Sequence, residues 1–189
     1  MTGLPDESFI RADIPMTKRE IRASVVSRLS PAKDAIVYDI GAGTGSVSVE
    51  LAMHALYGTV YAVERTKEGC ELIAQNARKF GLDNIDIINA SAADVIEKLP
   101  AADSVFIGGS GGELEKIMDI VLKKNPGVHI VITAVTLETL NDSVRLMEDK
   151  KVDVIDIVQI AVTQIKKRGR YHMLAANNPV FIIEGRGNR

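Results

Sequence analysis

The chain has 189 residues, 46% of them hydrophobic and 4% aromatic, with no tryptophan and a formal net charge of −2. That length suits one domain with a sizeable aliphatic core, and that charge argues against a strongly basic nucleic-acid-binding protein. The lone cysteine, Cys70, excludes an intramolecular disulfide and a cysteine-rich metal site, and no apolar run approaches the ~18 residues of a membrane span.

In chain order, residues 1–16 form an arm with Pro5, Pro15 and little periodicity. Met1 to Phe9 lacks the basic start and apolar run of a signal peptide, so a cytoplasmic protein is expected. A helix is predicted over 17–29, with Ile21, Val25 and Leu29 on one face and Lys18, Arg19, Arg22 and Arg28 opposite. Thr17 and Glu20 have capping-box spacing. Strands are predicted at 36–40, 59–64, 85–89, 103–107 and 128–133, and helices at 46–56, 67–80, 92–98, 112–123 and 137–149. The helix 67–80 carries Leu72, Ile73, Ala77 and Phe80 and stops at Gly81; the helix 137–149 carries Leu137, Leu140, Val144 and Met147. Segments 153–165 and 171–184 read as a hairpin joined by the basic turn 166–170. This alternation predicts an α/β fold, a mainly parallel sheet with helices on both faces. The arm and first helix (1–33) and the core (34–189) form a single expected unit.

The stretch 36–46 carries the most information. A buried strand runs directly into Gly41, Gly43 and Gly45 and then into a helix, the layout that lets backbone approach a ligand at a helix N-terminus. The glycines run G-x-G-x-G, unlike the G-x-G-x-x-G of dinucleotide sites. With Asp39 two positions ahead, Asp39-x-Gly41-x-Gly43-x-Gly45 resembles motif I of the class I S-adenosylmethionine (SAM) methyltransferases. A tight turn without ligand and a nicotinamide site are the alternatives. Asp39 either orients the loop or holds the ammonium of the cofactor's amino-acid tail. Glu64 ends the second strand nineteen residues past Gly45, close to the ~20 expected of a ribose-binding carboxylate. After the third strand, Ser91 and the N–H of Ala92 fall at the adenine edge; Ser91 with Asp94 also reads as a helix cap. Seven strands ending in a hairpin whose last strand is antiparallel match the Rossmann-like class I methyltransferase sheet.

The fourth strand ends in Gly108-Gly109-Ser110-Gly111-Gly112. In a methyltransferase this loop faces the transferable methyl group, and its glycines admit a large flat substrate and offer N–H groups to a carboxylate. No Gly-Lys-Ser/Thr follows, so it is not a P-loop. Basic residues gather at Arg11, Lys18, Arg19 and Arg22 and again at Lys166, Lys167, Arg168 and Arg170, as anchors for an anionic substrate or as ordinary solvated surface. Cys70 and His172 read as packing residues, and His54 and His129 lack ligand spacing, so no bound metal is expected.

The segments Ile14-Pro-Met-Thr-Lys-Arg-Glu-Ile-Arg22, Asp39–Ser46, Phe106-Ile-Gly-Gly-Ser-Gly-Gly112 and Asn178-Pro-Val180 together resemble the cobalt-precorrin-6B C-15 methyltransferases (decarboxylating) of cobalamin synthesis, along essentially the whole chain. The resemblance implies methylation of a flat polycarboxylate, a tetrapyrrole, at C-15, with loss of carbon dioxide from the ring C acetate. It places SAM at Thr17, at Gly41, Ala42, Gly43, Thr44 and Gly45, at Glu64 and at Ala92. It implies a homotetramer and the stand-alone form of an activity elsewhere fused to a C-5 methyltransferase. Lys18, Arg22 and Ser110 are then carboxylate anchors, with Gly108, Gly109 and Gly111 against the substrate. No general acid or base stands out. The alternatives are a tRNA methyltransferase, a non-enzymatic SAM sensor and a dehydrogenase. The first is disfavoured because the Asn/Asp-Pro-Pro-Phe/Tyr segment of many base-amino methyltransferases is missing from this chain, and no nucleic-acid partner is expected.

Overall fold

The computed structural model describes residues 2–188. The elements run α1 (Arg19–Leu29), β1 (Ile36–Ile40), α2 (Ser46–His54), β2 (Thr59–Glu64), α3 (Lys67–Lys79), β3 (Ile85–Asn89), α4 (Ala92–Val95), β4 (Ser104–Ile107), α5 (Leu114–Lys124), β5 (His129–Ala134), α6 (Leu137–Asp149), β6 (Val152–Ile160), β7 (Thr163–Arg168), β8 (Tyr171–Ala176) and β9 (Val180–Gly187). Seven strands form one sheet in the order β3-β2-β1-β4-β5-β9-β6. All neighbours are parallel except β9, which runs antiparallel to both β5 and β6.

The strands are apolar on both faces, so alternate residues feed two cores. Tyr38, Ile40, Val105, Ile107, Ile130 and Ile132 pack with α4, α5 and α6. Val37, Phe106, Val131 and Ile182 pack with Ile21, Val25 and Leu29 of α1 and with Val47 and Leu51 of α2. The arm adds a third cluster, Phe9 and Met16 against Val49, with Phe80 partly buried beside them.

Several expectations shift. Helix α1 begins at Arg19 with Lys18 as its N-cap residue, and no side chain caps it, so the Thr17–Glu20 capping box does not form. On α6 the buried residues are Ser143, Leu146 and Met147, with Leu140 partly buried against the same core, while Leu137 at the first position of the helix is exposed. The closing hairpin divides: β6 and β9 stay in the main sheet, and β7 and β8 leave it as a separate two-stranded ribbon. His172, expected to pack, is exposed on that ribbon.

Candidate functional site

The parallel strands all end on one side, where a ligand crevice belongs. A cleft of about 690 Å³ lies there, lined by the ends of β1 to β5, the Asp13–Lys18 part of the arm, and Val162, Asn177, Asn178 and Val180 from the base of the ribbon and the start of β9. This size falls within the range of small-molecule sites. It brings together Thr17, Lys18, Gly41, Ala42, Gly43, Glu64, Ser91, Ala92, Gly108, Gly109, Ser110 and Gly111 from five separate stretches of sequence.

The turn after β1 is folded by its glycines. Gly41 and Ala42 both donate backbone N–H groups to the Val63 carbonyl, at 2.9 and 3.2 Å. Gly41 has φ +73°, and a Cβ there would lie 2.5 Å from the Gly109 carbonyl oxygen, so the two glycine loops touch through backbone alone. Gly43 has φ +56°, and a Cβ on it would meet the Pro15 carbonyl at 3.2 Å, so this turn also carries the arm.

Glu64 is held in one orientation. One carboxylate oxygen accepts the Gly43 N–H at 3.0 Å; the other accepts the Thr66 N–H at 2.9 Å and the Thr66 hydroxyl at 2.8 Å. The same hydroxyl caps α3 by accepting the Gly69 N–H. Asp39 is fully buried and accepts the Ser48 hydroxyl at 2.5 Å, while its other oxygen has no protein partner. Burial pushes its pKa up to about 7, opposed by the Ser48 hydrogen bonds and assisted by the charge of Glu64.

Four expected site residues lie elsewhere. Asp39 is not in the cleft wall; its carboxylate is turned to the Ser48 hydroxyl of α2. Thr44 and Gly45 also stay behind the wall: Thr44 is 1% exposed, its carbonyl accepts the Asn76 side-chain amide at 2.8 Å, and Gly45 packs on Ile73. Arg22 is the clearest correction. It is fully buried, donating to Glu50 at 2.6 Å, to Asp6 at 3.2 Å and to the Thr17 and Leu4 carbonyls. Its guanidinium also lies 4.6 Å from the Phe9 ring centroid. The arm folds back over this face of α1, so Arg22 fastens the arm and is no carboxylate anchor.

Lys18 remains at the cleft, 3.9 Å from Asp6 and 42% exposed. Ser91 does not cap α4 through its side chain; its hydroxyl donates to Glu113 across the cleft, a lining residue that sequence reasoning missed. Thr133, Val135 and Asn177 were missed as well, because no local pattern marks them, and Asn178 was noted only within the Asn178-Pro-Val180 segment, with no site role. Lys166, Lys167, Arg168 and Arg170 are exposed on the ribbon and do not line the cleft. Cys70 is half-buried; burial raises its thiol pKa, the inert direction. Among the described residues no cluster of His, Cys, Asp or Glu is arranged to hold a metal, and no helix is long and apolar enough to cross a membrane.

Residues 8–185 match the model of the precorrin methyltransferase domain. The chain belongs to the precorrin methyltransferase family. The probable cobalt-precorrin-6B C(15)-methyltransferase (decarboxylating) of Pyrobaculum calidifontis is 40% identical over 184 residues, 96% of this precorrin methyltransferase and 94% of that protein. Among solved structures, a precorrin-6y C5,15-methyltransferase from Geobacter metallireducens superposes with a TM-score of 0.91 at 37% identity, covering 98% of this chain and 97% of that one. A precorrin 8w decarboxylase from Methanobacterium thermoautotrophicum gives 0.90 at 33% identity, covering 96% and 98%. A tRNA (m1A58) methyltransferase from Aquifex aeolicus, at 18% identity and a TM-score of 0.74 over 96% of this chain and 73% of that one, shares the fold alone.

Proposed function

We infer that this precorrin methyltransferase uses SAM to methylate C-15 of cobalt-precorrin-6B, with decarboxylation of the acetate side chain on ring C. The observation that carries the reading is the cleft itself. Its walls combine the glycine turn, the acid ending β2 and an open glycine loop in a chain alike to these enzymes over nearly its full length. The tRNA alternative rests on fold resemblance alone.

The residues present fit SAM. Gly41, Ala42 and Gly43 offer close backbone approach, the locked Glu64 carboxylate presents an acceptor, and Ser91 and Ala92 border the next strand end. Thr17 closes the arm side. SAM supplies an electrophilic methyl on a sulfonium. The protein's share is alignment, since holding the acceptor carbon in line with that methyl converts a bimolecular step into an effectively unimolecular one. The backbone of Gly108 to Gly111, with Ser110 and Lys18, faces the tetrapyrrole. Arm and core act as one catalytic unit in a cytoplasmic homotetramer. The exposed Ile165, Tyr171, Met173 and Leu174 of the β7–β8 ribbon supply apolar surface for that assembly.

Isothermal titration with S-adenosylhomocysteine, with NADH as the control, tests the cofactor. Binding of the former alone, followed by methyl transfer to cobalt-precorrin-6B with release of carbon dioxide, is the expected outcome. Preferential binding of NADH would overturn the reading.

A further inference from the structure

We propose that Arg65 is a substrate-carboxylate anchor, standing in the role the sequence gives to Arg22. The inference rests on the polycarboxylate substrate proposed above.

Arg65 follows Glu64 at the end of β2, and its side chain reaches across the cleft to the loop after β4. A Cβ on Gly111 would start 3.4 Å from Arg65 Nη1. In sheet order β1 lies between these two strands, so this one side chain spans the mouth of the glycine turn.

The arginines differ in what they meet. Arg22 is paired with Glu50 and Asp6, Arg28 with Glu184 and Asp156, and Arg145 with Asp142 and Asp149. Arg65 is exposed and, like the exposed Arg11, Arg19 and Arg78, has no carboxylate within ion-pair distance among the described residues, but unlike them it lines the cleft, where three acids, Asp13, Glu64 and Glu113, also stand. Glu64 is already engaged by Gly43 and Thr66, and Glu113 by Ser91 with Lys116 at 3.9 Å, while Asp13 stands in the arm wall beyond ion-pair distance of Arg65. The backbone beside Arg65 is also rich in donors. Gly108 and Gly109 donate to the Ile40 carbonyl, whereas the N–H groups of Ser110, Gly111 and Gly112 donate to no backbone carbonyl. A planar guanidinium beside free N–H groups is suited to a carboxylate, which it can bind bidentately. Lys18 stands in the arm wall of the same cleft and supplies a second cation. Two cations carried by separate walls fit a flat molecule that bears carboxylates around its rim.

The test separates substrate from cofactor, because S-adenosylhomocysteine carries its own carboxylate and adenine. Wild type, Arg65→Met, Arg65→Lys and Lys18→Met are titrated with S-adenosylhomocysteine and, separately, with cobyrinic acid, a corrin bearing free carboxylates. Arg65→Met is expected to weaken the corrin roughly tenfold to a hundredfold, the range of a lost charge-assisted hydrogen bond. Its affinity for S-adenosylhomocysteine should stay within about twofold. Arg65→Lys should recover part of the loss, since it keeps the charge without the fork. If Arg65→Met loses S-adenosylhomocysteine and keeps the corrin, Arg65 serves the cofactor and the proposal falls. Unchanged affinity for both also overturns it. A wild type that binds S-adenosylhomocysteine but no corrin fails at the substrate reading itself, before any variant is compared.

Discussion

At the β1–β2 end of the cleft, Glu64 engages both carboxylate oxygens with Gly43 and Thr66, and the glycine turn is tied to Val63. At the β4 end, Ser110, Gly111 and Gly112 leave their N–H groups without backbone carbonyls, and the Arg65 side chain, reaching over from the end of β2, has no carboxylate at ion-pair distance among the described residues. The first region is finished before any ligand arrives, and pre-organisation of that kind suits one small ligand met in the same pose each time. The second is left open, as a larger and more charged ligand requires.

The comparison can be broken by variants that exchange the character of the two ends. Gly41→Ala should have the largest effect on ligand binding. Its Cβ would press 2.5 Å against the Gly109 carbonyl oxygen from a positive-φ backbone, forcing the two loops apart. Binding of S-adenosylhomocysteine is expected to fall by at least about a hundredfold in calorimetry, a loss of roughly 3 kcal/mol. Wild-type affinity in this variant would show that the turn is no finished cradle.

Arg22→Met sharpens the contrast between a buried and an exposed cation. It leaves the buried Glu50 carboxylate without its charge partner, which typically destabilises by about 3–5 kcal/mol, read as a lower urea midpoint. Adding Glu50→Gln should restore part of the loss, because Gln still accepts a hydrogen bond from the arm. A stable Arg22→Met protein with weakened corrin binding would return Arg22 to the anchors.

The effect confined to a pH window concerns Asp39. Its folded pKa of about 7 lies above the ordinary value of 3.8. Between those two pH values the unfolded chain has released the proton that the folded chain keeps, so this group's contribution to stability declines as pH rises from 4 to 7 and is level above. Asp39→Asn removes that dependence. The stability of the variant relative to wild type should therefore grow across this window, by at most about 4 kcal/mol, and then stay constant. A difference that does not change with pH would mean that Asp39 is ionised throughout.

The finished end was legible in the sequence because it is local. Strand, glycine turn, helix and the acid of the next strand lie within one short stretch, and each announces itself by spacing. The core face of α1, Ile21, Val25 and Leu29, was legible for the same reason. Arg22 was misread because its burial depends on the arm returning over α1, where Glu50 receives the Gly3 and Leu4 N–H groups as well. Thr17 was assigned a cap and instead gives its carbonyl to Arg22. Thr133, Asn177 and Asn178 reach the cleft only through the order of strands in the sheet, and no periodicity along the chain encodes that order. The ribbon was hidden by continuity of pattern: the extended stretch runs unbroken through Val162, and only pairing shows where the sheet ends.

The placement of β9 bears on how the molecule comes to exist. It is the last strand in chain order, yet it lies between β5 and β6 and is, among the described residues, the only strand paired with β6. Emerging from a ribosome, the chain would have formed its glycine turn and most of its helices while β5 still exposed a bare edge, a state open to mispairing. Val180, the first residue of β9, also lines the cleft. The binding cleft is thus completed by the same late event that closes the sheet, and a nascent chain that has not yet made its final strand pairing has no complete place to hold a substrate.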